Sequence, residues 1–337
     1  MERNERYIGT PDEIGIIEKF LEDQRQEVPS RFRKHLRLED AKKDFSLDVD
    51  WELFEKITQE GERHFKTIDP NFSLMPEDRY LVTRANEGSI GGFYGRPVGG
   101  YYYMNDLGFA TLLSEEKVQS EKLRTLEFAR DCLHDSLHSC IFRTFRLDAE
   151  IGNVFRHQYG INFRNSNGNS YSAPNLNEKS PEAVNLNTWM DALVHMQASA
   201  FIKDNFSHEL DGEALSDLEK EIWREIKDLT CDEGKFPEPQ MFHENVVAPA
   251  KGFIDKWGKD FLFDETLKAM LSGELEPLKD YFRETLMRAD AWEFMFKQSA
   301  YQDLDEDVKQ DNTLSNPEAK RLNKNDKKAR VCREIKE

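Results

Sequence analysis

The chain has 337 residues, a net charge of −18 at pH 7 and only four cysteines. The acidic balance argues against nonspecific nucleic-acid binding, which needs clustered Lys and Arg, and against attraction to anionic membranes. No stretch approaches the roughly 20 apolar residues of a transmembrane helix, and no apolar signal segment is visible at the start. The cysteines lack the spacing of a disulfide framework. We expect a soluble cytoplasmic protein, with signal-less secretion into a host cell as the alternative.

Residues 1–79 are predicted to form an N-terminal helical region. Pro11 and the acids after it suit a helix N-terminus, and the segment WELFEKITQEGERHF repeats apolar residues at helical spacing. The next region, 80–210, begins differently. Six glycines lie between Gly88 and Gly100, followed by three tyrosines. This composition predicts strand, loop and strand, with the glycines in a flexible hairpin or a substrate-covering loop.

A long helix is predicted from Ser114 to about Arg146. Glu115 and Glu116 suit the positive end of its dipole. Apolar residues then recur at steps of three and four, which predicts a core-facing stripe. The stripe consists of Leu126, Ala129, Leu133, Leu137 and Ile141. The Asn-, Ser- and Gly-rich residues 160–188 are predicted to form a long loop near the site.

Helical patterns return at 182–206, 213–229, 244–257 and 276–299, so residues 211–302 are predicted to form a C-terminal helical region. Residues 303–337 are charged and nearly free of aromatics, which predicts a disordered tail. The expected fold class is mainly α. It combines a helical bundle-like core with a small Gly/Tyr-rich β element.

The run from Glu127 to His138 carries the chemistry. On an α-helix, residues four apart lie on one face, so His134 and His138 can aim two imidazoles at one point. This geometry recurs at zinc sites. Glu127 and Asp131 continue the same stripe, where they are candidate ligands or partners of the imidazole N–H groups.

A third ligand is needed, and Glu150 is the predicted one. On an unbroken helix its side chain would point about 120° away from that of His138. The helix is therefore expected to end near Arg146. Asp148 would then cap the next turn and bring Glu150 back towards the site.

The sequence HDSLH, followed by eleven residues and Glu150, gives the pattern HDxxH-x11-E. This pattern resembles the metal-binding signature of the helical family that serves coenzyme Q (ubiquinone) biosynthesis. The resemblance covers residues 134–150. It implies that His134, Asp135, His138 and Glu150 are metal-site residues. It also implies a role in assembling quinone-modifying enzymes or in decarboxylating the ring precursor.

A second interpretation is a zincin-like metallopeptidase, in which HExxH supplies two ligands and a Glu general base. This chain has Asp135 in the place of that base, and Asp is one methylene shorter. Glu150 or Glu182 would be the third ligand. The Tyr-rich strand ahead of the helix suits the sheet edge that flanks such sites.

A third interpretation is a metal-dependent phosphohydrolase of the His-Asp type, which LHDSLH also resembles. Such enzymes need an upstream His and a downstream Asp, for which His64 and Asp191 or Asp204 are the candidates. A fourth is a noncatalytic interaction or effector protein, whose metal is structural or lacking.

Two further predictions concern residues around the pair. If the helix that carries His195 packs over the site, His195 becomes a fourth ligand or a general base. Cys132 points about 160° away from His134 and is expected to be a buried small residue, as is Cys140.

The favoured interpretation is a metal-dependent lyase or hydrolase. His134, His138 and Glu150 would bind zinc or, as the alternative, iron(II). Asp135 would be a ligand, an orienting residue or a catalytic base. The expected substrate is a small molecule or a protein, and the charged tail is a candidate site for a protein partner.

Overall fold

A computed structural model gives the structure of the chain. It describes residues 4–26, 28–29, 32–33, 35–44, 47–84, 104–150, 152–164, 170–171, 187–228, 264–287 and 289. The predicted tail, the glycine-rich loop, Glu182 and the predicted helix at 244–257 lie outside the described residues.

Eight α-helices fall within the described ranges: α1 (Pro11–Gln26), α2 (Leu38–Ala41), α3 (Trp51–Lys66), α4 (Glu121–Cys140), α5 (Asn187–Phe206), α6 (Asp217–Asp228), α7 (Asp264–Ser272) and α8 (Glu276–Leu286). Short 3-10 helices occupy Glu77–Arg79 and Ser207–Leu210. None of these helices is long and apolar enough to cross a membrane.

The strands form two sheets. They are β1 (Glu5–Ile8), β2 (Leu36–Arg37), β3 (Tyr80–Arg84), β4 (Gly108–Leu112), β5 (Arg143–Asp148), β6 (Asn153–Tyr159), β7 (Asn162–Arg164) and β8 (Ser170–Tyr171). One sheet has the order β1-β5-β6-β7-β8 and the other the order β2-β3-β4. The β1–β5 and β3–β4 pairs are parallel, and the other pairs are antiparallel.

Local sequence explains where the main helices begin. At α1, the Thr10 N–H donates to Glu13 Oε2 at 2.7 Å and the Glu13 N–H donates to Thr10 Oγ1 at 3.4 Å, a reciprocal capping box. At α4, Ser120 Oγ accepts the Leu123 N–H at 3.2 Å. The capped start of α4 therefore lies later than Ser114, the predicted first residue.

The predicted continuation of this helix to Arg146 is wrong. α4 ends at Cys140, because Ile141 adopts an extended conformation and Arg143 begins β5. The apolar spacing that continues to Ile141 is helical in appearance, but Phe145 belongs to a strand that pairs with β1 and β6. The mainly α prediction therefore holds only coarsely: helices are numerous, and two sheets share the core with them.

The main hydrophobic core surrounds α4, which packs against β4, α3 and α5. Gly61 of α3 permits a close approach, since a Cβ atom there would lie 2.5 Å from Leu133 Cδ2. The core extends from Leu38 to Phe282 and crosses both predicted boundaries between the helical regions. It thereby surrounds the polar face of α4 with packed side chains.

A buried ionic group joins the N-terminus to this core. The N-terminal cluster comprises Glu5, Arg25, Asp106 and Arg143, whose side chains are all less than 10% exposed. Arg25 binds both oxygens of Glu5, at 2.9 and 2.7 Å. Arg143 donates to Glu5 at 3.2 Å and to Asp106 at 3.2 Å. Burial opposes ionisation of Glu5, but the bond from Arg25 and the charge of Arg143 leave its pKa below the ordinary value.

Candidate functional site

The polar face of α4 meets α5, β4 and β6 in a group that we call the histidine cluster. Its members are Glu127, Arg130, Asp131, His134, Asp135 and His138 of α4, with His195 of α5. The rings of His134 and His138 have centroids 4.5 Å apart and planes at 80° to each other. The predicted pairing of these two imidazoles on one helix face is confirmed.

Both imidazoles are held through Nδ1. His134 Nδ1 lies 3.1 Å from Asp135 Oδ1, and His138 Nδ1 lies 2.7 Å from the hydroxyl of Tyr159. The ring of Tyr159 also stacks on that of His138 at an angle of 18°. A carboxylate or other polar group on one ring nitrogen is the usual means of fixing a metal-binding histidine.

Asp135 links His134 to β4. It is 1% exposed, and its Oδ2 accepts the backbone N–H of Phe109 in β4 at 2.6 Å. Gly108 makes this approach possible, because a Cβ atom there would lie 3.1 Å from Asp135 Oδ2 and 2.9 Å from the ring of Tyr80. Both oxygens of Asp135 are therefore engaged, one by β4 and one by His134.

Asp131 makes the equivalent contact one turn earlier. Its Oδ2 accepts the N–H of Thr111 at 3.2 Å. Asp131 and Asp135 are separated by about 6 Å along the helix axis, which is one turn. Phe109 and Thr111 are separated by about 6.7 Å along the strand, so the two spacings match. The two carboxylates thus bind alternate N–H groups of β4.

The pKa of Asp131 is raised to about 7. Burial is the main cause, because removal from water disfavours the charged form. Arg130 lowers the pKa and the negative charge of Glu127 raises it. A carboxyl group that titrates near neutrality is typical of functional sites, although structural networks also produce such groups.

His195 of α5 faces the pair, as predicted for a helix packed over the site. Its ring centroid lies 6.1 Å from that of His134. His195 Nδ1 lies 2.9 Å from Arg130 Nη1. A guanidinium has donors only, so His195 Nδ1 accepts this bond, and in the neutral ring the proton lies on Nε2.

Arg130 is at the centre of the charges. Its Nε donates to Glu127 Oε2 at 2.8 Å, and its Nη2 donates to Glu127 Oε1 at 2.6 Å and to Asp131 Oδ1 at 2.9 Å. The two carboxylates predicted as ligands or imidazole partners therefore bind Arg130. Sequence reasoning missed this role, although Arg130 stands between Glu127 and Asp131 on the same turn.

Glu150 is not brought to the cluster. It is exposed in the turn between β5 and β6, where its N–H donates to Asp148 Oδ1 at 3.0 Å. The hairpin reaches the cluster with its other end, because Tyr159 pairs with Arg143, the first residue of β5. About five residues of extended strand, roughly 17 Å, separate that end from the turn. The prediction that Glu150 joins His134 and His138 is therefore wrong.

The other candidates of the alternative interpretations are not members of the histidine cluster. His64 is exposed on α3, with its ring 5.2 Å from that of Phe201. Asp204 is exposed near the end of α5, and the side chain of Asp191 is outside the described residues. Cys132 and Cys140 are buried free thiols, as expected.

The cluster offers two imidazoles, each held through Nδ1, on one face of α4. Within the described part of the chain, no three His, Cys, Asp or Glu side chains are arranged to hold a metal ion. The chain matches no family model, and no curated protein or solved structure shows significant similarity to it. Its function must therefore be inferred from the cluster itself.

Proposed function

We propose that the chain is a metal-dependent enzyme, most simply a hydrolase, in which His134 and His138 bind zinc or iron(II). The observation that carries the proposal is the pairing of these two rings, 4.5 Å apart, with each Nδ1 held by a different residue. Rings that share one tetrahedral ion at about 2.1 Å have centres roughly 5 Å apart. The pair is therefore close to the spacing that an ion requires.

The third ligand would come from His195 or Asp131. The ring of His195 is 6.1 Å from that of His134, and Asp131 lies on the preceding turn of α4. Both are bound by Arg130, so either must turn away from the guanidinium to reach an ion. Water would complete the coordination.

A bound ion would act as a Lewis acid or activate a water molecule. The protein's own residues have separate tasks. Asp135 would accept the Nδ1 proton of His134 and so leave Nε2 of that ring to hold the ion, and Tyr159 would do the same for His138. Asp135 is held by Phe109 and His134, so its geometry favours orientation over general-base catalysis.

The cluster supports a small-molecule substrate better than a peptide. Zincin-like peptidases bind peptides by strand addition at a sheet edge. Here β4 is the last strand of its sheet in the described residues, and Asp135 and Asp131 already bind two of its N–H groups. The resemblance to the quinone-pathway family is compatible with such a substrate, but in this chain it extends only to the HDxxH part of the motif.

The test is the metal content of the purified chain, measured by elemental analysis after reconstitution with zinc and with iron(II). We expect near one equivalent of one metal in the wild type and its loss in His134→Ala/His138→Ala. His208→Ala is the matched control, because His208 is exposed on the 3-10 helix after α5. Negligible metal in the wild type and the double variant would contradict the proposal and favour the noncatalytic interaction protein.

A further inference from the structure

Three potential metal ligands converge on one cation within the histidine cluster. Glu127 Oε1 and Asp131 Oδ1 lie 2.6 and 2.9 Å from the same nitrogen, Arg130 Nη2. His195 Nδ1 lies 2.9 Å from the neighbouring nitrogen, Nη1. Glu127 and Arg130 are 2% and 4% exposed, whereas Asp131, with a side chain 19% exposed, and His195 are half-buried, so the group lies at the edge of the core.

The types of these donors are informative. Two carboxylates and one imidazole form a set that binds zinc and iron(II) in many proteins. Glu127 and Asp131 are one turn apart on α4, and His195 faces them from α5. The three donors now bond at 2.6–2.9 Å to two different guanidinium nitrogens and are not arranged to hold an ion. They would have to move together to lie about 2.0–2.2 Å from one.

We propose that Arg130 is a resident cation that occupies a latent divalent-metal site made by Glu127, Asp131 and His195. Its guanidinium neutralises the carboxylates without a metal, and it withholds Asp131 and His195 from an ion at His134. Loading of the metal would then be controlled by the position of Arg130. This last point rests on the proposed function, whereas the latent site does not.

Charge supports this view of Arg130. A guanidinium stays protonated at all physiological pH values, so it remains a competitor for the carboxylates. A divalent ion close to it would also be repelled, more strongly than in bulk water because Glu127 and Arg130 are buried. Removal of that one charge should therefore favour a metal in two ways, by releasing ligands and by ending the repulsion.

The test compares the zinc and cobalt(II) affinities of the full-length wild type and Arg130→Met, by competition with a chromophoric chelator. We expect binding to be about tenfold tighter or more in Arg130→Met, with a cobalt spectrum typical of low coordination number. Arg130→Lys keeps the charge and should show no gain. Arg25→Met is the control for loss of a buried arginine elsewhere.

The ligands are identified by second substitutions. Addition of His195→Ala to Arg130→Met should remove the gain, and addition of His134→Ala/His138→Ala should leave the gain at the latent site. Equal metal affinity in Arg130→Met and the wild type would overturn the inference. A gain in affinity that persists after His195→Ala would also overturn it. If the metal-free variant does not fold, zinc should restore its thermal transition, and failure of zinc to do so would also overturn it.

The two proposals can fail separately. A wild type without metal, together with a tight, His195-dependent site in Arg130→Met, would refute the proposed function and support the latent site. A wild type that binds one ion through His134 and His138, with unchanged affinity in Arg130→Met, would support the proposed function and refute the latent site.

Discussion

The molecule contains two buried ionic groups that are built on different principles. The N-terminal cluster sets two arginines against two carboxylates, and every member bonds to an opposite charge. The histidine cluster sets Arg130 against three carboxylates, Glu127, Asp131 and Asp135, two of which also bind β4.

One acid from each group shows how the two groups differ in their effect on carboxyl pKa. The pKa of Glu5 is lowered, whereas that of Asp131 is raised to about 7. Burial raises the pKa of both acids, but the bond from Arg25 and the charge of Arg143 outweigh it at Glu5, whereas Arg130 does not outweigh it at Asp131, where Glu127 raises the pKa further. The fold therefore favours the ionised form of Glu5 and disfavours that of Asp131.

The largest effect is expected from breaking the balanced group. Arg143→Met would leave Glu5 and Asp106 buried with fewer partners, so the free energy of unfolding should fall by about 3–5 kcal/mol. Urea denaturation followed by circular dichroism measures it. Arg283→Met is the control, since its ion pairs with Asp280 and Glu276 are exposed and should contribute less than about 1 kcal/mol. A loss below 1 kcal/mol for Arg143→Met would refute the structural role.

The next effect concerns metal affinity. Asp135→Asn keeps the size of the side chain but replaces one carboxylate oxygen with an amide donor, which cannot serve both Phe109 and His134 as Asp135 does. Zinc affinity should fall by about 10–100-fold. Competition with a chelator measures the change, with Asp211→Asn, exposed after α5, as the control. Unchanged zinc affinity would show that Asp135 does not orient His134.

The two groups should respond to pH with opposite signs. Because the folded-state pKa of Glu5 is below its ordinary value of 4.5, its stabilisation is present above pH 4.5 and is lost as pH falls through the folded pKa. Because Asp131 titrates near 7 when folded and at 3.8 ordinarily, its ionisation should destabilise the fold as pH rises between these values.

Urea denaturation of the metal-free protein across pH 3.5 to 8.5 would test these two opposite pH dependences. The free energy of unfolding of Glu5→Gln should be about 1–2 kcal/mol below that of the wild type at pH 7 and should approach it in acid. The free energy of unfolding of Asp131→Asn should increase relative to that of the wild type as pH rises. Parallel pH profiles for wild type and Asp131→Asn would contradict the raised pKa.

The smallest effect is expected at Glu150. Glu150→Gln should leave zinc affinity and stability unchanged, within about 0.5 kcal/mol, because the side chain is exposed in the turn between β5 and β6. A tenfold loss of zinc affinity, measured as for Asp135→Asn, would restore Glu150 as a ligand.

Features that depend on neighbouring residues could be predicted from the sequence. The helix that begins at Pro11 and the pairing of His134 with His138 follow from spacing along one helix, and both are present. A strand, a loop and a second strand are predicted from residue 80 onward; β3 and β4 are present, but they pair in parallel and so do not form a hairpin. Local periodicity fixes the element but leaves its partner open.

Features that depend on distant partners could not be predicted. β5 is stabilised by pairing with β1, whose residues are more than 130 positions away, and nothing in RTFRLD alone requires a strand. Tyr159 reaches His138 only because β6 folds back along β5. For the same reason, Glu150 could not be excluded as a ligand before the end of α4 at Cys140 was known.

The parallel pairing of β1 with β5 also bears on the order of folding. Glu5 pairs with Arg143, so the two strands close a loop of well over a hundred residues. Closing so long a loop carries a large entropic cost, and most local structure, including α3 and α4, can form before it. During synthesis, β1 can pair with β5 only after β5 has left the ribosome. β1 should therefore gain hydrogen-exchange protection later than β5 and β6 during refolding.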